Sequence, residues 1–218
     1  MEIIDLSHAI ANEMPAYPGT ESPVITQSSS IGENGYAEKM ISMTSHTGTH
    51  VDAPSHMIQG ANTLDQFSLD HFIGEGFIAD ISTLNKMIID PEDLGGELER
   101  IRDKDFVLFH TGWSQYWGDE KYFREFPALS NRLVNTLTAS NLKGIGLDTS
   151  SIDPYGTDHF SNHMTVFLRN IIIIENLTNL DKLIGKDFLF ICNPLKIDKT
   201  DGSPVRAFAI TRYSGSGF

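Results

Sequence analysis

Three of the chain's eight histidines fall in one short segment, Ser45-His46-Thr47-Gly48-Thr49-His50-Val51-Asp52-Ala53-Pro54-Ser55-His56. His46, Gly48, His50 and Asp52 share parity. An extended chain would therefore set two imidazoles and a carboxylate on one face, with Val51 and Ala53 on the other. A soluble protein does not give a buried face to three titratable groups unless something satisfies them. Imidazole with carboxylate suits Zn²⁺, Mn²⁺ or Fe²⁺ better than Mg²⁺ or Ca²⁺, which take all-oxygen sites. His50 and Asp52, roughly 7 Å apart along a strand, can reach one cation. His46 and His50, roughly 13 Å apart on a straight strand, barely can, so either the chain bends at Gly48 or there are two metal positions. Pro54 ends the strand's hydrogen bonding and leaves His56 just past it, at the rim.

A second group lies further on. His159 and His163 are separated by four, which would place them on one face of a helix. Glu175 follows the apolar run Ile171 to Ile174, at a strand end of the kind where α/β sheets bind ligands. Taken alone, Glu175 also fits a solvated strand end, and His159 fits a surface or capping histidine.

The elements that must position these groups follow from hydrophobic patterning. Short apolar, β-branched or aromatic runs at Phe77–Ile81, Phe106–Phe109, Gly144–Leu147, Ile171–Ile174 and Phe188–Ile191 predict buried strands. Helices are predicted between several of them. Asp90-Pro91-Glu92-Asp93 carries a helix-start signature, weakened by the following glycines. Ser130 to Ser140 has Leu133, Val134 and Leu137 at helical spacing with Asn141 as a stop, and His163 to Arg169 reads as a short helix. Alternating strands and helices predict an α/β domain with a substantially parallel sheet. The Tyr36–Thr49 stretch reads as antiparallel β, which would make the sheet mixed.

Composition bounds the partners. At 218 residues with 40% hydrophobic content, the whole chain, 1–218, fits one domain with a sizeable core. The 29 acids against 16 Lys and Arg, a formal charge of −13, argue against nucleic acid and anionic membrane surfaces as partners. The lone Cys192 excludes an internal disulfide and a thiolate zinc knuckle, and a single thiol suits a reducing cytosol. The acidic start Met1–Asp5 is unlike a secretory leader, and no apolar run is long enough to cross a bilayer, so a cytoplasmic address is expected. The tail Tyr213–Phe218 is expected to be free or docked on a neighbouring subunit.

His46-Thr47-Gly48-Thr49-His50-Val51-Asp52-Ala53-Pro54-Ser55-His56 resembles the HxGTHxDxPxH signature of the cyclase-family metal-dependent hydrolases, which include bacterial kynurenine formamidases (arylformamidases) and isatin hydrolases. Similarity extends over most of the chain. Asp5-Leu6-Ser7-His8 with Met14-Pro15-Ala16-Tyr17-Pro18-Gly19 resembles the family's opening. Leu108–Trp113 resembles its central strand and turn, and Gly146–Asp153 a later strand and loop. The resemblance implies a swivelling β/β/α domain found as homodimers or homotetramers. It implies metal ligands at His46, His50, Asp52, His163 and Glu175, with Asp52 able to bridge two ions, and His56 as catalytic acid/base. Zinc is the expected ion and manganese its alternative. Tyr17-Pro18-Gly19-Thr20 departs from the Trp-Pro-Gly-Asp-like segment of kynurenine formamidases, so the substrate is left open.

The expected reaction is hydrolysis of a small aromatic amide or formamide by metal-activated water, with His56 moving the proton. Tyr17 and Trp113 are candidates for the substrate pocket, core packing being an equal alternative. Arg206 could meet a substrate carboxylate, although a surface salt bridge is the plainer expectation. Competing readings are an isatin-type cyclic amide or another small amide or ester as substrate, and a non-catalytic metal-binding protein. A cysteine hydrolase built on Cys192 is a weaker one, because no activating histidine is near it in sequence.

Overall fold

The computed structural model describes residues 1–211, so the tail Tyr213–Phe218 lies outside the described residues. In chain order the strands are β1 (Glu2–Asp5), β2 (Val24–Ser29), β3 (Glu38–Ser42), β4 (His50–Asp52), β5 (Ile73–Asp80), β6 (Ile88–Ile89), β7 (Phe106–His110), β8 (Ala128–Leu129), β9 (Gly144–Leu147), β10 (Ile172–Glu175), β11 (Phe188–Ile191), β12 (Gly202–Pro204) and β13 (Phe208–Thr211). The helices are α1 (Ile31–Asn34), α2 (Pro91–Leu94), α3 (Glu97–Ile101), α4 (Asn131–Leu137) and α5 (Ser161–Phe167).

Nine strands form one sheet in the order β1-β13-β11-β5-β7-β9-β10-β4-β12. Its centre, β5-β7-β9-β10, is parallel. The flanking pairs are antiparallel, β11, β13 and β1 on one side and β4 and β12 on the other. The fold is therefore α/β with a mixed sheet, but the antiparallel members differ from those expected. The Tyr36–Thr49 stretch contributes only β3, which pairs with β2 in a separate two-stranded sheet. Every residue of β3 is exposed, so it had no core face to carry into the main sheet.

Alternation along the central strands explains why both faces are covered. Phe106, Leu108, Ile172 and Ile174 enter one apolar cluster with Leu6, Leu64, Phe72 and Leu177. Val107, Phe109, Ile171 and Ile173 enter the other, against Leu133, Val134 and Leu137 of α4 and Val166 and Phe167 of α5. Residues of period two along one strand thus serve two layers, as in a parallel sheet buried on both sides. The predicted central strands appear within a few residues of their expected bounds. Helix α2 starts on a reciprocal Asp90/Asp93 capping box and stops after one turn at Gly95, whose φ is +50°. Helix α4 is capped by the Ser130 hydroxyl, which accepts from Leu133 N at 3.2 Å, and it ends three residues before the expected Ser140.

Candidate metal centre and active-site cavity

The extended reading of His46 to Asp52 is corrected by the structure. Gly48 sits at φ +65°, a left-handed conformation, and β4 begins only at His50. The chain therefore bends at Gly48, the first of the two options left open by the strand spacing, and the His46 and His50 rings meet with centroids 5.1 Å apart. The turn is held by its own carbonyl. Gly48 O accepts from His50 Nδ1 at 2.7 Å and from Asn176 Nδ2 at 2.8 Å. Thr49 Oγ1 donates to Asn176 O at 2.6 Å.

Committing His50 Nδ1 to that carbonyl leaves Nε2 for the site, 3.1 Å from Asp52 Oδ1 and 3.7 Å from Glu175 Oε2. Sheet register produces the second distance, since Glu175 on β10 is paired directly opposite His50 on β4. His46 Nδ1 lies 2.6 Å from the same Asp52 Oδ1. The other carboxylate oxygen, Asp52 Oδ2, faces His163 Nε2 at 3.9 Å, and that nitrogen is 3.5 Å from Glu175 Oε1. Three groups of potential ligand atoms result: His46/His50/Asp52 and Asp52/His163/Glu175, joined at Asp52, and on the rim His46/His56/Asp201.

His163 enters from α5, but His159 does not share its helix. The helix begins at Ser161, and His159 is an exposed residue of the preceding loop whose N–H donates to Thr157 Oγ1. One carboxylate that sequence reasoning left without a role, Asp153, organises this side. It accepts Asn162 N at 2.9 Å and His163 N at 3.1 Å, and it accepts His163 Nδ1 at 2.6 Å. A helix start and a ring orientation are thus set by one buried acid, which turns His163 Nε2 toward the site.

The electrostatics match a cation site. Burial opposes a charged His163, yet the Asp153 hydrogen bond and Glu175 raise its pKa to about 10. Burial likewise opposes charge on His46, and Asp52 and Asp201 raise it to about 9. His50 is raised as well, burial being outweighed by Asp52 and Glu175. Asp52 is buried, which alone would raise its pKa, but the adjacent His50 and His46 hold it well below the carboxylate range. Glu175 Oε1 is buried and, among the described residues, accepts no hydrogen bond. The cavity lining, among the described residues, contains no Lys or Arg to balance these acids. A buried carboxylate oxygen without a donor, beside converging imidazoles, fits a divalent metal ion.

His56 ends the short 3₁₀ turn Pro54–His56, its ring 3.9 Å from that of His46. Burial, together with the neighbouring His46 and His163, lowers its pKa, although Asp52 and Asp201 pull the other way. It lies on the wall of a cavity of about 300 Å³, where the lowered value favours its neutral form. Met14, Tyr17, Trp117, Phe123 and Phe160 make the apolar walls. Tyr17 is among these lining residues and Trp113 is not. Its Nε1 donates to Tyr122 O at 2.9 Å and its ring packs on Tyr116, while Trp117, one turn on, reaches the cavity and stacks on His8 at 3.9 Å. Ser150 Oγ, buried in the lining, has no hydrogen-bond partner among the described residues.

Two other residues resolve simply. Arg206 binds Asp5 through Nε and Nη2, the latter at 2.6 Å, in a surface salt bridge. Cys192 is fully buried, its thiol pushed up by burial and directed at Phe72 O, so it offers no nucleophile.

Comparison with known proteins places the chain in one family. The Cyclase family model matches residues 4–154. An uncharacterized protein of Methanocaldococcus jannaschii is 33% identical over 96% of this chain and all of its own length. The kynurenine formamidase of Bacillus cereus is 30% identical, covering 94% of this chain and 96% of the relative. Among solved structures, isatin hydrolase A from Ralstonia solanacearum superposes with a TM-score of 0.86 at 26% identity, covering 95% of this chain and 91% of that one. His163 and Glu175 lie beyond the span of the family model, but both relatives align through them. The chain belongs to the cyclase family of metal-dependent hydrolases.

Proposed function

We propose that the chain hydrolyses the carbon–nitrogen bond of a small aromatic amide or formamide, in the manner of an arylformamidase. The observation that carries this reading is the opening of the acid–imidazole cluster into an aromatic-walled cavity with His56 on its wall. Likeness to a kynurenine formamidase and to an isatin hydrolase supports the same bond class.

In this reading His46, His50, Asp52, His163 and Glu175 hold the metal, with Asp52 shared between two positions. A divalent ion there supplies Lewis acidity toward a carbonyl oxygen and toward water. His56 takes the proton of the attacking water and returns it to the leaving nitrogen as the C–O bond forms and the C–N bond breaks. Tyr17, Trp117, Phe123 and Phe160 orient the ring, and Ser150 Oγ offers it a free polar contact. Zinc, with manganese as alternative, suits the mixed nitrogen and oxygen donors.

A homodimer or homotetramer is part of the proposal, supported by Met40 and Ile41 of β3, exposed without a partner face in a single chain. The lone buried thiol supports a cytoplasmic address, and no helix of the described residues is long and apolar enough to cross a membrane.

A hydrolysis panel of aryl formamides, isatins and lactones, with Zn²⁺ or Mn²⁺ added, tests the reading. Turnover of an aryl formamide is expected, and His56→Ala should keep its metal while losing about 10²- to 10⁴-fold in kcat. Preferred turnover of isatins would move the substrate to cyclic amides. Metal bound with no turnover of any compound would overturn the enzyme reading in favour of a metal-binding protein.

A further inference from the structure

We infer that Asp201 is a positioning residue that sets the nitrogen roles of both His46 and His56, an inference that rests on the proposed site. No sequence pattern pointed to it. Asp201 Oδ2 lies 3.0 Å from His46 Nε2 and 3.4 Å from His56 Nδ1, so one oxygen serves two rings. Its other oxygen, Oδ1, accepts the Ser45 hydroxyl at 3.0 Å, which stops the carboxylate from turning away. Among the described residues, the ion-pair partners of Asp201 are these two histidines.

An imidazole has two ring nitrogens, and a carboxylate at one requires a hydrogen there. His46 has a carboxylate at each nitrogen, Asp52 Oδ1 at Nδ1 (2.6 Å) and Asp201 Oδ2 at Nε2; when an ion takes the place of the Nδ1 proton, Asp201 keeps Nε2–H and fixes Nδ1 as the ligating nitrogen. With Nδ1–H of His56 held by the same oxygen, His56 Nε2 is left as the base that faces substrate. The carboxylate thus does for one ligand and for the acid/base what Asp153 does for His163 alone.

The backbone is built for this placement. Ala53 N donates to Asp201 O at 2.8 Å, and Gly202 pairs with Asp52 where β12 meets β4. The His46 ring lies against Gly202, where an added Cβ would sit 2.5 Å from His46 Cε1. A residue 145 positions from His56 in sequence is therefore locked beside it by strand pairing.

The test uses Asp201→Asn and Asp201→Glu in the full chain. Metal content by elemental analysis should equal that of wild type in both. With the aryl formamide, kcat of Asp201→Asn should fall about 10- to 100-fold with KM within about twofold, and Asp201→Glu should recover part of the loss. In the metal-free protein at mildly alkaline pH, ¹⁵N NMR of the histidine rings should show His56 as the Nδ1–H tautomer in wild type and shifted toward Nε2–H in Asp201→Asn. An unchanged tautomer and unchanged kcat would overturn the inference. Loss of a metal equivalent would overturn it differently, by making Asp201 a ligand. The NMR measurement needs no substrate, so it judges Asp201 even if the panel finds no amide hydrolysis.

Discussion

The two halves of the site are built on opposite principles. Around β4, His46, His50, Asp52 and His56 come from one short segment, and the outer residues stay partly exposed, His46 at 21% and Asp201 at 44% of their side chains. Across the cavity, His163 and Glu175 come from a helix and a central strand, and the Asp153–His163 pair is almost wholly buried, at 1% and 5%. A buried carboxylate–imidazole pair is stiff and costly to break. A rim pair is screened by water and adds little to stability, but it can move with substrate and proton. The buried half is thus suited to anchoring an ion and the rim half to chemistry, with Asp52 common to both.

Removing that common residue should have the largest effect. Asp52→Asn should lose metal from both halves and lower kcat/KM by at least about 10³-fold, measured with metal analysis alongside. Retention of a full metal complement would mean that the halves are independent sites. Next in size, Asp153→Asn should weaken metal affinity about 10- to 100-fold and destabilise the metal-free protein by about 3 kcal/mol in urea unfolding. Asp201→Asn, being on the rim, should cost no more than about 1 kcal/mol in the same assay. Equal losses would erase the contrast between a buried and an exposed half.

The smallest effect is a pH dependence. In the metal-free protein His46 and His163 hold their protons to about 9 and about 10, above the ordinary histidine value of 6.5. Raised folded-state values contribute stability that is complete below 6.5 and is lost as pH climbs through 9 to 10. Thermal melting of the metal-free protein should therefore decline over that window. The metal-loaded protein should not follow, because the ion replaces both protons. Calorimetric titration of metal near pH 7 in buffers of different ionisation enthalpy should report at least about two protons released, from His46 and His163 with His50 adding to them, and affinity should rise with pH. A melting curve indifferent to metal across the window would remove these histidines from the ion's ligand set.

Much of the β4 half was legible because its residues are neighbours in sequence, and spacing along a strand converts directly into distance. Even there, spacing left a choice between a bend and two metal positions. The bend at Gly48 is real, yet the ligand atoms still fall into more than one group, two of them sharing Asp52. The central strands were legible for a similar reason: short apolar runs buried on both faces need no partner to be recognised. Strand β3 was misplaced because alternation specifies a strand but not which edge receives it. That Trp117 reaches the cavity while Trp113 turns toward Tyr122 is set by turn geometry, which hydrophobicity does not encode.

By itself the sequence determined the donor types, their local order, the family and the strands on which the ligands ride. Tertiary structure alone decided which of the chain's 29 acids act on the site beyond the signature. Asp153 and Asp201 look like any solvated aspartate until a helix start and an antiparallel register bring them to an imidazole nitrogen. The reason is physical: a carboxylate's role is set by what lies within about 3 Å of its oxygens, and contacts between distant segments follow from strand pairing and core packing, not from spacing.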